Sequence, residues 1–288
     1  MTARSEVINK LGLFMMLDFL DDENPLLRHA AKNWLKNSIT FFDRILDPLL
    51  EALIKDVIWY ITDTVQFFYA NIFDTKQVFS CFRKIKNIMV SIPKIFTEYI
   101  TLTEITPLVK QHIGHLQEYD WLSKPSVTYF DLIIVISLRY IQGQALESLS
   151  TKFSADCQKI NSIACEILEL FTTRIPEKSV DIASFVYEPL LVIEAHALMN
   201  KNYVIQVQLL SLLRIILFDK TIFNTADQKD TMKKTLSRPL LINAILQGLS
   251  SPSPYVLMQY IHFLNISLET ICEVLDFSDT KTFVVRVV

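Results

Sequence analysis

Apolar residues recur at helical spacing along nearly the whole chain, and this period decides which folds are open to it. Leu46, Leu49, Leu50, Leu53, Val57, Ile58 and Ile61 follow the i, i+3, i+4, i+7 rule of a single helix face. Ile160, Ile163, Ala164, Ile167, Leu168, Phe171 and Ile175 do the same. A third stretch places Tyr260, Ile261, Leu264, Leu268, Ile271 and Leu275 on one side. Extended alternation is scarce. The run 132–136, Leu-Ile-Ile-Val-Ile, suits a strand or a helix, but Tyr129 and Tyr140 on its flanks lengthen it past ten residues and favour a buried helix.

Punctuation agrees with this reading. Asn24-Pro25, Asp47-Pro48 and Ser253-Pro254 each set a capping side chain before a proline. Such an oxygen accepts from the free amides of the first turn, and proline at the first helical position loses no hydrogen bond. Ile175-Pro176 ends a helix, because proline drives its predecessor out of the α region. Polar connectors fall near 142–153 and 219–234, with a shorter one at Ser123-Lys124-Pro125-Ser126.

The predicted helices are 5–20, 25–38, 48–73, 75–90, 94–104, 106–119, 127–142, 154–174, 179–199, 202–219, 239–248 and 254–275. About twelve helices in 288 residues make hairpins of roughly 48 residues, near the ~40–47 of HEAT and armadillo repeats. The string x-Pro-Leu-Leu begins at Asn24, Asp47, Glu188 and Arg238, a weak internal echo. The expected fold is all-α: a HEAT/armadillo-like helical-hairpin solenoid forming a single repeat region over 1–288, with a weak division near 142–153. Stacked hairpins bury helices on both sides, which suits residues 209–218, where only Ser211 and Arg214 are polar.

Composition narrows the function. Four glycines in the chain disfavour dinucleotide folds, phosphate loops and nucleophile elbows, all of which need glycine at set places. Lys plus Arg number 28 against 31 for Asp plus Glu, so no basic excess marks a nucleic-acid binder. Charged residues are 20% and hydrophobic ones 51%, but no run of about 18 apolar residues reads as a membrane span. The N-terminus, interrupted by Glu6 and Lys10, has no secretory pattern. Cys81, Cys157, Cys165 and Cys272 form no C-x-x-C pair and read as free buried thiols in a reducing cytosol.

No constellation calls for catalysis, a cofactor or a metal. His112 and His115 are three apart, but no third ligand stands at zinc spacing and Gly114 interrupts them. His29, His196 and His262 are scattered singly. Asp21-Asp22-Glu23 precedes a helix start, where negative charge is favoured by the dipole. Glu166 and Glu169 read as a solvated helix face. Two basic clusters remain: Arg83, Lys84 and Lys86 with Lys94 beyond Pro93, and Lys229, Lys233, Lys234 and Arg238. A basic face with apolar neighbours can rest on anionic lipid. Arg83, Lys84, Lys86 and Lys94 are therefore the candidate lipid or partner contacts.

Four stretches are similar to the Dopey family of large trafficking proteins. The first is Asp21-Asp22-Glu23-Asn24-Pro25-Leu26-Leu27-Arg28-His29, leading to Trp34-Leu35 and Arg44-Ile45-Leu46-Asp47-Pro48-Leu49. The second is Phe73-Asp74-Thr75-Lys76-Gln77-Val78, then Phe82-Arg83-Lys84-Ile85. The third is Gln206-Val207-Gln208-Leu209-Leu210-Ser211-Leu212-Leu213-Arg214. The fourth joins Ser237-Arg238-Pro239-Leu240 through Gly248-Leu249 and Tyr255-Val256 to Gln259-Tyr260-Ile261-His262-Phe263.

Dopey proteins are longer, so the chain resembles an internal or truncated portion of one. The resemblance implies a non-enzymatic cytosolic protein, peripheral to Golgi and endosomal membranes, serving endosome-to-Golgi protein transport. It implies a Sec7-related HEAT-repeat scaffold and phospholipid-flippase ATPases as partners, with links to kinesin light chain and phosphatidylinositol 4-phosphate. It carries no site residues over. The alternative is a phosphoinositide- or anionic-lipid-binding recruitment module.

Overall fold

A computed structural model of the chain describes residues 12–54, 75–113, 122, 124–147, 155–174, 207, 210–212, 214 and 245–274. Helix dominates these residues, and no strand occurs among them. Helix α1 covers 12–18 and tightens into a 3-10 turn, Phe19–Asp21. It is followed by α2 (Pro25–Asn37), a second 3-10 turn (Ile39–Phe41), α3 (Phe42–Ile54), α4 (Thr75–Ser91), α5 (Pro93–Leu102), α6 (Pro107–His112), α7 (Tyr129–Glu147), α8 (Ala155–Arg174) and α9 (Pro254–Val274). The chain forms two compact units, Met1–Ser137 and Leu138–Val288, with the boundary inside α7. The all-α expectation holds for the described residues. The predicted helix 179–199 and most of 202–219 lie outside them.

In the first unit, α4 packs against α3, α5 and the Phe19–Asp21 turn, and α6 packs on α3. The α4 core side is Val78, Phe82, Ile85 and Met89, spaced by three and four and all buried. It faces α3, whose buried residues are Phe42, Ile45, Leu46, Leu49, Leu50, Leu53 and Ile54. Several of the predicted starts are as expected. Asn24 caps α2, its side chain accepting from the Leu26 amide at 2.9 Å, with Pro25 at the first helical position. Pro254 opens α9.

Asp47-Pro48 is different. Pro48 lies inside α3, which begins six residues earlier at Phe42. A start at Pro48 would leave Phe42, Ile45 and Leu46 outside the helix. All three are buried, and each such side chain is worth about 1.5–3 kcal/mol. That gain exceeds the hydrogen bond that an internal proline removes. Asp47, released from capping, accepts from Thr106 Oγ1 at 2.7 Å and from Tyr129 Oη at 2.6 Å. Thr106 is itself the cap of α6, taking the Val109 amide at 3.4 Å. One carboxylate thus ties α3, the start of α6 and the start of α7.

Aromatic rings extend this tie. Phe42 meets Phe96 and Tyr99 edge-on, with centroids 6.3 and 5.1 Å apart, and Tyr99 stacks on Tyr129 at 6.0 Å. A short antiparallel clip joins the end of α5 to the start of α7: Ile105 N–H donates to Val127 O and Tyr129 N–H to Thr103 O. Thr128 and Asp131 then cap α7 reciprocally. The Thr128 amide and hydroxyl donate to Asp131 Oδ2, both at 2.8 Å, and Lys124 Nζ donates to Oδ1 at 2.8 Å.

Helix α7 answers the one helix–strand ambiguity. Residues 132–136 are helical and wholly buried, as are Leu138, Tyr140 and Ile141. Its buried Ser137 hydroxyl donates back to Ile133 O at 2.8 Å, so the interior polar group is satisfied. The connector expected from residue 142 begins later, since α7 continues to Glu147. Gln142, Gln144 and Glu147 are good helix formers despite their polarity, and Ala145 and Leu146 are good ones as well. In the second unit α8 buries Ile160, Ala164, Ile167, Leu168 and Phe171. There Gly248 lies directly under the Tyr260 ring of α9, so close that a β-carbon would overlap the ring.

Three stability changes follow. Asp47→Ala leaves two hydroxyls without their acceptor and should lower unfolding free energy by about 1–3 kcal/mol, and Tyr129→Phe by about 1–2 kcal/mol; urea denaturation with a double-mutant cycle should show strong coupling. Gly248→Ala should cost about 1–3 kcal/mol by displacing Tyr260, outweighing the roughly 1 kcal/mol gain in helix propensity, and thermal unfolding measures the net.

Candidate functional site

The predicted basic cluster sits on α4 and at the start of α5. The core stripe of α4 runs through Phe82, Ile85 and Met89. Arg83 and Lys84 flank it, and the helix turn sends them to different surroundings. Lys84 is 5% exposed. Its Nζ reaches Asp18 Oδ1 at 2.7 Å and Ser80 Oγ at 2.7 Å, and stands 5.7 Å from the centre of the Phe14 ring. A buried ammonium requires such an acid partner and added hydrogen bonds. Arg83 Nη2 shares the same carboxylate at 3.1 Å from a half-exposed position. Lys86 is half-buried and Lys94 exposed. The four candidate contacts are therefore not one open face: Arg83 and Lys84 converge on Asp18, while Lys94 stands out in solvent.

Beside Lys84 lies a cavity of about 400 Å³ between α3 and α4, with Phe14 of α1 also on its wall. Its α4 side is Gln77, Ser80, Cys81 and Lys84, again the i, i+3, i+4, i+7 positions of one face. Its α3 side is Pro48, Leu49, Glu51 and Ala52. Sequence reasoning named Lys84 but missed its burial, the partner Asp18 and the cavity. The readable signal was Ser80 one turn before Lys84. Asp18, on another helix, left no local trace.

The other singled-out residues find structural places. Asp22 Oδ1 accepts from the Asn24 amide at 2.8 Å, before the start of α2. Arg28 Nη1 donates to Glu23 O at 2.9 Å, closing the same corner. His112 ends α6, and His115 lies outside the described residues. Arg214 donates to His262 Nε2 at 3.0 Å within the second unit. Glu169 is exposed and Glu166 half-buried, as a helix edge requires. Cys81 and Cys165 are buried thiols outside any disulfide. Burial, with Glu166 and Glu169 nearby, pushes the Cys165 thiol up to about 12, so it stays protonated and unreactive. Cys157 and Cys272 side chains, His196 and the basic group at 229–238 fall outside the described residues. Among the described residues no group of three or more His, Cys, Asp or Glu is placed to hold a metal. No helix among them is long and apolar enough to cross a membrane.

Among the described residues of the first unit, Asp47 is a perturbed carboxyl. Burial raises it above its ordinary 3.8, with Asp43 and Glu51 adding to the rise and the Tyr129 and Thr106 hydroxyls opposing it. Burial also raises Tyr129 and Tyr99, so both phenols keep their protons. A carboxyl raised on folding binds its proton more tightly in the folded chain. Its contribution is fully present below the unfolded value of 3.8 and is lost as pH rises through the folded value. Relative to Asp47→Asn, the wild-type chain should therefore lose stability as pH rises above 3.8 and through the higher folded value, read from urea midpoints across an acid-to-neutral series.

No protein-family model, curated protein or solved structure matches the chain.

Proposed function

We propose that the chain is a non-enzymatic α-helical scaffold whose exposed apolar side chains bind other proteins. The observation that carries this reading is a row on α9. Tyr255 and Met258 are each 61% exposed and Ile261 is 38% exposed, one helical turn apart from one another, while Val256, Tyr260 and Phe263 on the other side are buried. Helices that bury one side and present the other are how extended helical proteins grip partners. Leu26, at 78% exposure on α2, adds a similar feature to the first unit.

The similarity to Dopey proteins supplies the setting: endosome-to-Golgi protein transport, on the cytosolic side of Golgi and endosomal membranes. The partners are a Sec7-related HEAT-repeat scaffold and a phospholipid-flippase ATPase. A HEAT/armadillo-like stacking of the hairpins belongs to the same proposal. The second reading, recruitment to anionic lipid, draws on the exposed Lys94 with the half-exposed Arg83 and half-buried Lys86.

A binding assay against the purified Sec7-related scaffold separates the two. The wild-type chain should bind, and replacing Tyr255, Met258 and Ile261 by serine should weaken binding at least about tenfold. Reversing Arg83, Lys86 and Lys94 should leave it unchanged. Failure of the wild-type chain to bind, or indifference to the triple change, refutes the scaffold reading. Sedimentation with vesicles containing phosphatidylinositol 4-phosphate, lost on the charge reversal, would favour the lipid reading.

A further inference from the structure

We propose that the cavity between α3 and α4 binds a small amphipathic acid, with its carboxylate at Lys84 and its apolar body along α3. The cavity volume of about 400 Å³ lies in the ~300–1,000 Å³ range of ligand pockets, which are largely apolar with a few placed polar groups. At the ~30 Å³ that a water molecule takes in the liquid, it holds about a dozen non-hydrogen atoms. Phe14, Pro48, Leu49 and Ala52 supply the apolar wall, and Ala52, one turn after Pro48, leaves room where a larger side chain would fill the space.

The charge pattern selects the head group. Lys84 is the cation among the lining residues, and it shares the Asp18 carboxylate with Arg83. An ammonium has three donors. Asp18 and Ser80 take two of those on Lys84, and an entering carboxylate can take the third without displacing either. The contact with Phe14, itself part of the wall, sets the ammonium at the cavity's edge. Glu51, the acid among the lining residues, belongs to α3 rather than α4. An anionic head group is therefore favoured at the Lys84 side of the cavity rather than beside Glu51. Cys81 lines the same cavity and reports occupancy by its reactivity.

The test compares decanoate, decanol and decylamine, which share one apolar body, by calorimetry on the full chain. Decanoate should bind at least about tenfold more tightly than either analogue, as a charge-assisted hydrogen bond requires. It should also slow alkylation of Cys81 by N-ethylmaleimide, read by peptide mass spectrometry. Lys84→Gln should remove the preference for the acid while decanol still binds, and Ala52→Phe should abolish binding of all three. Equal binding of the three by the wild-type chain overturns the proposal, as do tighter binding of decylamine and an absence of Cys81 protection. The wild-type comparison decides the matter even if a variant fails to fold.

Discussion

The carboxylate of Asp47 is the point on which the first unit turns. It lies in α3 but is held by hydroxyls from Thr106 and Tyr129, 59 and 82 residues further along the chain. Each hydroxyl also serves a second structure. Thr106 caps α6, and the Tyr129 ring stacks on Tyr99, which meets Phe42 of α3 again. The loop is closed: the ring contacts bring the hydroxyls to the carboxylate, and the carboxylate fixes which way the rings face. Burying an acid in this way is costly, and its raised proton affinity records the cost. Hydrophobic contact alone could hold these helices together, but it is non-directional. Two short hydrogen bonds of fixed geometry set the register of three helices at once.

How much of this was legible in the sequence depends on whether the deciding interaction was local. Asn24-Pro25 was readable because the cap and its amide are two residues apart. The helix over 132–136 was readable from its length and its tyrosine flanks. Asp47-Pro48 carries the same local signature as Asn24-Pro25, yet Pro48 lies inside α3. The difference is Phe42, Ile45 and Leu46, whose burial depends on α3 extending back past the proline. The polar letters of 142–147 concealed helix formers in the same manner. Local chemistry offers a start or a stop, and packing decides whether the chain takes it.

The basic segment of α4 shows this limit at the level of a site. Arg83 and Lys84 are neighbours in sequence and nearly interchangeable in a charge count. A turn of 100° per residue puts one at the solvent edge and the other beside the core. Nothing in the sequence near Lys84 announces Asp18, which lies 66 residues away and contacts both cations. An expected open basic face resolves into a buried ammonium, a shared acid and an exposed remainder at Lys94.

That resolution also bears on the cavity between the two helices. Rolling α4 to bring an apolar residue over Ala52 would pull the buried Lys84 Nζ away from Asp18 and Ser80, leaving polar groups without their hydrogen bonds. Pro48, fixed inside α3 by the burial of Phe42, Ile45 and Leu46, cannot shift to meet it. The two helices are each pinned by interactions elsewhere, α3 through Asp47 and α4 through Asp18. Closing the space between Ala52 and Lys84 would work against one or the other, and the proposed amphipathic acid would meet the charged side at Lys84 and the apolar side at Ala52.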